Sequence, residues 1–237
     1  EANDTADFYG YDVHKVGNDI VFKVRGSDFD EEFKLSMPGL FNVSNALCAI
    51  AIARLYDIPV RDIQAGLYHA KVPGRMEIYT SNDKKITAIV DYAHNQLSFQ
   101  KLFESVRSEY PGYRATIIFG CPGKKAKDRR HDLGEIAGKN ADYIYLTEED
   151  AGEEDPLAIA HEIARAVEKE KAPYEIIIDR EKAIARAVED AANVQGNTVI
   201  LITGKGAETR QKRGTEYIPV MSDVECVNLE LKKYNEK

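Results

Sequence analysis

The chain has 237 residues, of which 43% are hydrophobic and 30% are charged, and its formal net charge is -8. This composition is typical of a folded globular protein and excludes a chain that is mainly disordered. The basic cluster of the chain is confined to one loop, and no apolar run approaches the roughly 20 residues that cross a bilayer, so we expect neither nucleic acid nor a membrane as a partner. We expect a cytoplasmic monomer.

The metal-binding and disulfide-forming residue types show no useful spacing. Three cysteines, Cys48, Cys121 and Cys226, lie far apart, and no Cys-x-x-Cys motif occurs. We therefore expect neither a disulfide framework nor a zinc site, and the five histidines do not suggest a metal cluster. The chain opens at Glu1 in the middle of a strand-like pattern, which suggests an excised fragment or a processed start.

The first 74 residues predict a small α/β segment. Three short strands, FYGYDVH, DIVFKVR and EEFKLSM, surround turns at 17–19 and 26–28. The stretch MPGLFNVSNALCAIAIARLYDIP predicts a helix that Asn42 or Ser44 caps and that ends before Pro59. We expect its buried face to carry Leu47, Ile50, Ala51 and Leu55. A second short helix, VRDIQAGLYHA, leads to Pro73-Gly74, where we place a domain boundary between 1–74 and 75–237.

The second domain alternates strand, loop and helix. Strands ITAIVDY, ATIIFG, DYIYLT, YEIIID and TVILIT are separated by helices SFQKLFESVRSEY, HDLGEIAGKN, DPLAIAHEIARAVEKE and REKAIARAVEDAA. Such alternation predicts an α/β fold with a mostly parallel sheet and helices on both faces. We expect EYIPV and a C-terminal helix from Ser222 to complete it.

Polar residues follow almost every strand of this domain. The clusters are Asp91-Tyr92-Ala93-His94-Asn95, Gly123-Lys124-Lys125, Thr147-Glu148-Glu149-Asp150, Asp179-Arg180 and Gly204-Lys205-Gly206-Ala207-Glu208. Ligands of open parallel sheets bind outside the carboxyl ends of the strands, so we expect these clusters to share one rim. A ligand that is anionic at one end and carries an ammonium at the other would complement both the basic and the acidic loops of this rim.

The loop FGCPGKKAKDRR predicts an anion site. Five of the seven residues from Lys124 to Arg130 are basic, and they follow a buried strand and a Cys-Pro-Gly turn that frees backbone N–H groups. The alternative interpretation is a solvated run of charge.

Other polar positions also have structural interpretations. Asp179 and Asp155 are each suited to cap the helix that follows, and the acidic stretch 148–155 is otherwise a solvated loop. GKGAE lacks the spacing of a phosphate loop and reads as a turn, while His94 could be a satisfied core histidine.

Taken in order, the motifs resemble the Mur ligases of peptidoglycan synthesis, in particular the MurE type that adds the third amino acid. The resemblance runs from Pro38 to about Gln211 and rests on GLFNVSNALCAIA, VPGRMEIY, VDYAHN, FGCPGKK, the acidic loop ending in EDP, DREKAI and ITGKGAE. It implies that 1–74 is the tail of a central ATPase domain and 75–237 a Rossmann-like third domain. No Gly-Lys-Thr or Gly-Lys-Ser occurs, so we expect ATP and Mg²⁺ to be held mostly by an upstream part, and this fragment alone to be inactive.

The resemblance also implies a chemistry and a set of site residues. ATP phosphorylates the terminal carboxylate of UDP-N-acetylmuramoyl dipeptide, and the amine of a free amino acid attacks the acyl phosphate. We expect catalytic roles for Lys124 and His94 and nucleotide contacts from Asn45, Arg75 and Asp91. The expected residues for the amino acid and the developing charge are Lys125, Glu149, Asp150, Gly204 and Glu208.

Three positions depart from the family pattern. Lys125 stands where the family usually has an arginine, and Ala207 replaces a histidine. Diaminopimelate-adding members carry Asp-Asn-Pro-Arg where this chain has Glu149-Asp150-Ala151-Gly152, so the arginine that grips the distal carboxylate is absent at 152. Since the loss of one partner of a buried charge pair costs about 2 to 5 kcal/mol, we favour L-lysine over diaminopimelate, with ornithine as another possibility.

Two further classes of function are alternatives. A nicotinamide-dependent oxidoreductase would need a Gly-x-Gly-x-x-Gly motif after a strand, and none occurs. A non-catalytic relative that binds nucleotide or amino acid, or a paralogous ligase, would share the motifs described above.

Overall fold

The structure is a computed structural model that describes residues 5–17 and 19–236. It divides into two compact units, Glu1–Val72 and Pro73–Lys237, so the division falls two residues before the one predicted after Gly74. Two features of the sequence analysis lie outside the described residues. They are Glu1, where an excised or processed start was suggested, and Asn18 of the first predicted turn.

The first unit is built on a three-stranded antiparallel sheet. Strands β1 (Tyr9–Val16), β2 (Asp19–Arg25) and β3 (Asp30–Leu35) lie in that order and confirm the three predicted strands. Alternate residues of β2, Ile20, Phe22 and Val24, are fully buried, as expected when one face of a sheet is covered.

Two helices, α1 (Asn42–Leu55) and α2 (Val60–His69), follow the sheet and confirm the two predicted helices. The predicted buried face of α1 was partly wrong, because Ile50 is buried but Leu55 is 79% exposed. Leu55 lies five residues after Ile50, about 140° around the helix, whereas Val43 and Ala46 share the face of Ile50. The predicted cap was also wrong, since Asn42 already begins the helix and its side-chain amide donates to the Pro38 carbonyl at 2.7 Å.

The second unit is built on a six-stranded sheet of order β4-β5-β9-β6-β7-β8. The strands are β4 (Glu77–Thr80), β5 (Ile86–Asp91), β6 (Arg114–Phe119), β7 (Tyr143–Leu146), β8 (Tyr174–Ile176) and β9 (Thr198–Thr203). Strand β4 runs antiparallel to β5 at the edge, and the other pairs are parallel. Every residue of β5 and β9 is buried, as is usual when helices cover both faces of a parallel sheet.

Five helices cover this sheet. They are α3 (Gln96–Glu109), α4 (Asp128–Asn140), α5 (Pro156–Lys169), α6 (Arg180–Asn193) and α7 (Asp223–Asn235). Helix α4 contacts α3 and α5, while α6 and α7 pack on each other and on the central strands. The predicted α/β class is therefore confirmed. Within residues 5–17 and 19–236, every helix is too short or too polar to span a bilayer.

The prediction that EYIPV completes the main sheet was wrong. Strand β11 (Glu216–Pro219) pairs instead with β10 (Arg210–Arg213), which the sequence reading missed, in a separate two-stranded sheet. Only Gly214 and Thr215 join the two strands, and Gly214 has φ +59°. A two-residue hairpin turn needs a positive φ at its first position, which glycine adopts without strain.

Arg130 is buried and links two loops through its hydrogen bonds. It is not part of an exposed basic cluster, so its assignment to the anion loop was wrong. Helix α4 begins at Asp128, which turns Arg130 inward, and its side chain is 2% exposed. The guanidinium donates to both oxygens of Glu154 at 2.8 Å and to Glu162 at 2.7 Å. Glu154 also accepts from the Lys124 backbone N–H at 2.8 Å. The Arg130–Glu154 ion pair therefore holds the basic loop against the acidic loop.

Arg130→Met should lower the free energy of unfolding by about 3 kcal/mol, because the Glu154 carboxylate then loses its buried partner. Lys139→Met is the matched control, since Lys139 pairs with Glu135 on the exposed face of the same helix. That change should leave the free energy of unfolding close to the wild-type value, because ion pairs between exposed side chains contribute little. Denaturant unfolding of the three proteins measures both values, and equal losses in the two variants would contradict the structural role of Arg130.

Candidate functional site

The loops that follow β7 and β9 meet at the Lys205 ammonium. Lys205 Nζ lies 2.9 Å from Asp150 Oδ1, 2.7 Å from Glu208 Oε2 and 2.6 Å from the Arg210 carbonyl oxygen. The Lys205 side chain is 3% exposed. The predicted common rim is thus confirmed for these two clusters, since Asp150 and Glu208 belong to different strand ends.

Lys205 was not predicted to have a role, because its segment reads as a turn. Burial opposes its charge, but hydrogen bonds to Glu208 and Asp150 outweigh burial and raise the pKa of Lys205. Its neighbours Gly204 and Gly206 have φ +101° and +57°, so the turn itself is confirmed. No local pattern shows that a lysine between two glycines is buried, since its carboxylate partner Asp150 lies 55 positions away.

Glu149 presents an enclosed carboxyl group at the same rim. A Cβ placed on Gly204 would lie 2.4 Å from Glu149 Oε2, so the carboxyl group occupies the space that a side chain at 204 would need. Burial raises the pKa of Glu149 to about 7, against the attraction of Arg180 and Lys205. This carboxyl group therefore changes its protonation near neutral pH.

A second buried cation, Arg180, holds the loop after β9. Its Nε donates to Asp223 Oδ1 at 2.6 Å, and its Nη2 donates to Asp223 Oδ2 at 2.8 Å and to the Thr203 carbonyl at 2.7 Å. Asp223 also accepts from the Gly206 backbone N–H at 2.9 Å. Asp179 caps α6 through the Lys182 N–H at 3.1 Å, as predicted, and this start of the helix turns Arg180 inward.

The residues predicted to contact nucleotide lie around the end of β5. Asp91 is buried, and its two oxygens accept from the backbone N–H groups of Met76 at 2.9 Å and Ala93 at 2.8 Å. Burial raises the pKa of Asp91, and these two donors oppose the rise. Arg75 is exposed, with its guanidinium 4.5 Å from the centroid of the Tyr92 ring.

The other predicted residues have different surroundings. His94 is half-buried, and its Nδ1 lies 2.7 Å from the Tyr92 carbonyl oxygen. Lys125 is exposed, and Lys124 is exposed and pairs with Glu153 at 2.5 Å. In the first unit, Asn45 is exposed and donates to Asn42 Oδ1 at 3.0 Å.

The acidic loop docks on the β10–β11 hairpin and is not simply solvated. Asp150 Oδ1 accepts from the Lys212 N–H at 2.9 Å, and Gly152 forms a parallel bridge with Arg213. Glu148 is 5% exposed and forms an ion pair with the Arg213 guanidinium. The predicted cap at Asp155 is confirmed, since its side chain accepts from the Leu157 N–H at 3.1 Å.

A cavity of about 260 Å³ lies beside these ion pairs. Its walls carry five carboxylates and three cations, so acidic groups are in excess: Glu148, Asp179, Glu181, Glu208 and Asp223 against Arg180, Lys205 and Arg213. Each of the three cations already has a carboxylate partner. A ligand group with a positive charge is therefore favoured here over another anion.

Residues 74–206 match the family model described as Mur ligase, glutamate ligase domain. The chain belongs to the Mur ligase family. The resemblance inferred from its motifs is therefore confirmed.

Curated relatives extend the match beyond that domain. A UDP-N-acetylmuramoyl-L-alanyl-D-glutamate--2,6-diaminopimelate ligase of Caldanaerobacter subterraneus subsp. tengcongensis is 38% identical over 201 residues, which cover 84% of this chain and 40% of that protein. A UDP-N-acetylmuramoyl-L-alanyl-D-glutamate--L-lysine ligase of Enterococcus faecalis is also 38% identical, over 76% of this chain and 35% of that protein. The chain thus spans about two fifths of the length of the Mur ligases it matches.

A solved structure supports the fold. UDP-N-acetylmuramate-alanine ligase from Thermotoga maritima superposes with a TM-score of 0.68 at 16% identity, over 99% of this chain and 47% of that one. Identity this low supports the fold alone, and it agrees with the parallel sheet and flanking helices of the second unit.

Glu149→Gln should change how stability depends on pH. Because the folded-state pKa of Glu149 is raised from 4.5 to about 7, wild-type stability from this group is full below about pH 4.5 and is lost as pH rises through 7. The variant carries no such charge, so relative to wild type it should gain on the order of 3 kcal/mol between pH 4.5 and 8. Denaturant unfolding at several pH values measures the difference, and a difference independent of pH would contradict an enclosed carboxyl group.

Proposed function

We propose that this chain is part of an ATP-dependent ligase of peptidoglycan precursor synthesis. The proposed reaction joins an amino acid, with L-lysine favoured, to UDP-N-acetylmuramoyl-L-alanyl-D-glutamate. Membership of the Mur ligase family supports the reaction class, and the names of both curated relatives support the peptide substrate. The first unit is proposed to be the remainder of a central ATP-binding domain.

The proposed role of the second unit is to bind the incoming amino acid and to accept a proton from its amino group. A carboxylate is a poor electrophile, and ATP supplies the phosphoryl group that activates it. An amine attacks only after it has lost its proton, and a carboxyl group whose pKa is about 7, as at Glu149, is suited to accept one. Asp150 and Glu208 are proposed to orient the ammonium before that transfer, with Gly204 keeping the space for Glu149 open.

The proposed nucleotide contacts fit the chemistry of the residues present. The exposed guanidinium of Arg75 suits a polyphosphate, and the Asp91 carboxylate keeps acceptor capacity for ribose hydroxyls beyond the two backbone N–H groups it binds. Asn45 is proposed to lie by the adenine. His94 and Lys124 are proposed to act near the transferred phosphoryl group, and Lys125 near the carboxylate of the amino acid.

The preference for L-lysine rests on Gly152 and on the excess of carboxylates at the strand ends. Gly152 has no side chain that could bind the distal carboxylate of diaminopimelate, and Lys205 and Arg213 are already paired with carboxylates. Positioning of an ammonium by several carboxylates favours a side chain that ends in an amine.

Addition of meso-diaminopimelate is the second candidate. It is favoured by the name of the Caldanaerobacter relative and by Arg213, whose backbone bridges to Gly152 and whose guanidinium reaches Glu148. If Arg213 released Glu148, its guanidinium could bind the distal carboxylate of diaminopimelate from its position on β10, beside Gly152.

The complete enzyme, supplied with ATP, Mg²⁺ and the UDP-linked dipeptide, should turn over L-lysine with a kcat/KM at least about 30-fold above that for meso-diaminopimelate, from about 2 kcal/mol of discrimination. Preference for diaminopimelate, together with its loss in Arg213→Gln, would support the second candidate and contradict the first. Absence of turnover with either amino acid would contradict the proposed ligase.

Gly152→Arg should raise kcat/KM for meso-diaminopimelate about tenfold and lower that for L-lysine, because it adds a cation where the distal carboxylate would lie. Gly152 has φ +60°, so Gly152→Gln is the matched control, because its unbranched side chain carries a similar backbone strain without the charge. Equal substrate preference in the two variants would contradict a role for charge at this position.

A further inference from the structure

Tyr92 lies between the two groups of residues to which the proposed function gives separate tasks. Tyr92 directly follows the buried Asp91 and is half-buried. The Arg75 guanidinium lies over its ring, 4.5 Å from the ring centroid. The hydroxyl end lies beside Glu208, and burial together with this carboxylate raises the pKa of Tyr92. One side chain thus contacts an arginine through its ring and lies near a carboxylate at its hydroxyl end.

The ring is also held from a third side. The His94 ring packs edge-on against it, with centroids 5.0 Å apart and an interplanar angle of 74°. Because His94 is itself fixed by its contact with the Tyr92 carbonyl, the tyrosine ring has little freedom to turn away. Its orientation is therefore set by the end of β5.

The backbones on either side of Tyr92 touch each other. A Cβ on Gly74 would lie 2.5 Å from the Ala207 backbone nitrogen, and a Cβ on Gly206 would lie 2.9 Å from the Gly74 carbonyl oxygen. The segment that carries Arg75 and the loop that carries Glu208 are thus packed too closely for any side chain. A shift of one segment is transmitted to the other through backbone contact.

We propose that Tyr92 is a positioning residue that orients Arg75 toward the nucleotide and Glu208 toward the amino group of the incoming amino acid. This inference rests on the proposed function for the roles of Arg75 and Glu208. The ring face holds the guanidinium by a cation–π contact, and the hydroxyl lies close enough to the Glu208 carboxylate for that negative charge to oppose its ionisation. Glu208 thus lies near the Tyr92 hydroxyl, and it accepts a hydrogen bond from Lys205 Nζ at 2.7 Å.

The two contacts can be separated by substitution. Tyr92→Phe keeps the ring and removes the hydroxyl, so KM for the amino acid should rise about tenfold while KM for ATP changes less than about twofold. Tyr92→Leu removes both contacts, so KM for ATP should also rise, by about threefold to tenfold. Both are measured in the complete enzyme with the UDP-linked dipeptide present.

Tyr174→Phe is the matched control. Tyr174 begins β8 at the opposite end of the sheet, and its hydroxyl donates to Glu168 at 2.6 Å, so the change removes a tyrosine hydroxyl beside a glutamate away from the polar loops that follow the strands. It should leave both KM values unchanged. An increase as large as that of Tyr92→Phe would assign the effect to general stability and overturn the positioning role.

A second readout does not depend on turnover. In protein labelled with ¹³C at the tyrosine ζ carbon, the Tyr92 resonance is assigned by its loss in Tyr92→Phe, and its pKa is measured by NMR titration. Glu208→Gln should lower that pKa toward the usual value of about 10, since the carboxylate no longer opposes ionisation.

The outcomes separate the two claims. An unchanged Tyr92 pKa in Glu208→Gln, or wild-type KM values for Tyr92→Phe in an active enzyme, would overturn the role of Tyr92 and leave the ligase intact. An enzyme that turns over neither L-lysine nor diaminopimelate would overturn the proposed function and this role together, even where the titration shows the contact.

Discussion

Two buried cations, Lys205 and Arg180, organise the carboxyl ends of the sheet. Taking an ammonium or a guanidinium out of water is strongly unfavourable unless carboxylates and carbonyls replace the lost hydration. Lys205 obtains this from Asp150, Glu208 and the Arg210 carbonyl, and Arg180 obtains it from Asp223 and the Thr203 carbonyl. The requirement for these partners draws the loops after β7 and β9, the β10 strand and the start of α7 to one place.

This network explains why the acidic loop is held against other elements and is not simply solvated. The acidic loop is held by the backbone of β10 through Asp150 and Gly152, and by Arg130 through Glu154. Glu149 is the member of that loop whose pKa burial raises to about 7, which leaves it partly protonated near neutral pH. A positively charged ligand beside it would favour its ionised form.

The parts of the fold that depend on local pattern were predictable. Short apolar runs bounded by turns predicted the strands of both units, and aspartates before apolar helical runs predicted the caps at Asp155 and Asp179. Parallel topology then predicted that polar residues after the strands would meet, as Asp150 and Glu208 do at Lys205.

Features that depend on distant partners were not predictable in the same way. Lys205 pairs with Asp150, Arg180 pairs with Asp223, and Arg130 pairs with Glu154, at separations of 55, 43 and 24 positions. A basic residue in a loop looks the same in sequence whether it faces solvent or a buried carboxylate. For the same reason Arg130 was assigned to an anion loop, and the β10–β11 hairpin, whose strands are mostly polar, was not recognised as a pair.

The most direct test of the account is the pKa of Glu149 in the complete enzyme, measured by ¹³C NMR with carboxyl-labelled glutamate and assigned by Glu149→Gln. Without the amino acid, the pKa should be about 7. With L-lysine bound in the presence of a non-hydrolysable ATP analogue and the UDP-linked dipeptide, it should fall by at least about one unit, because an adjacent ammonium stabilises the carboxylate. A pKa that stays about 7 when L-lysine is bound would contradict the claim that this cluster receives the incoming amine.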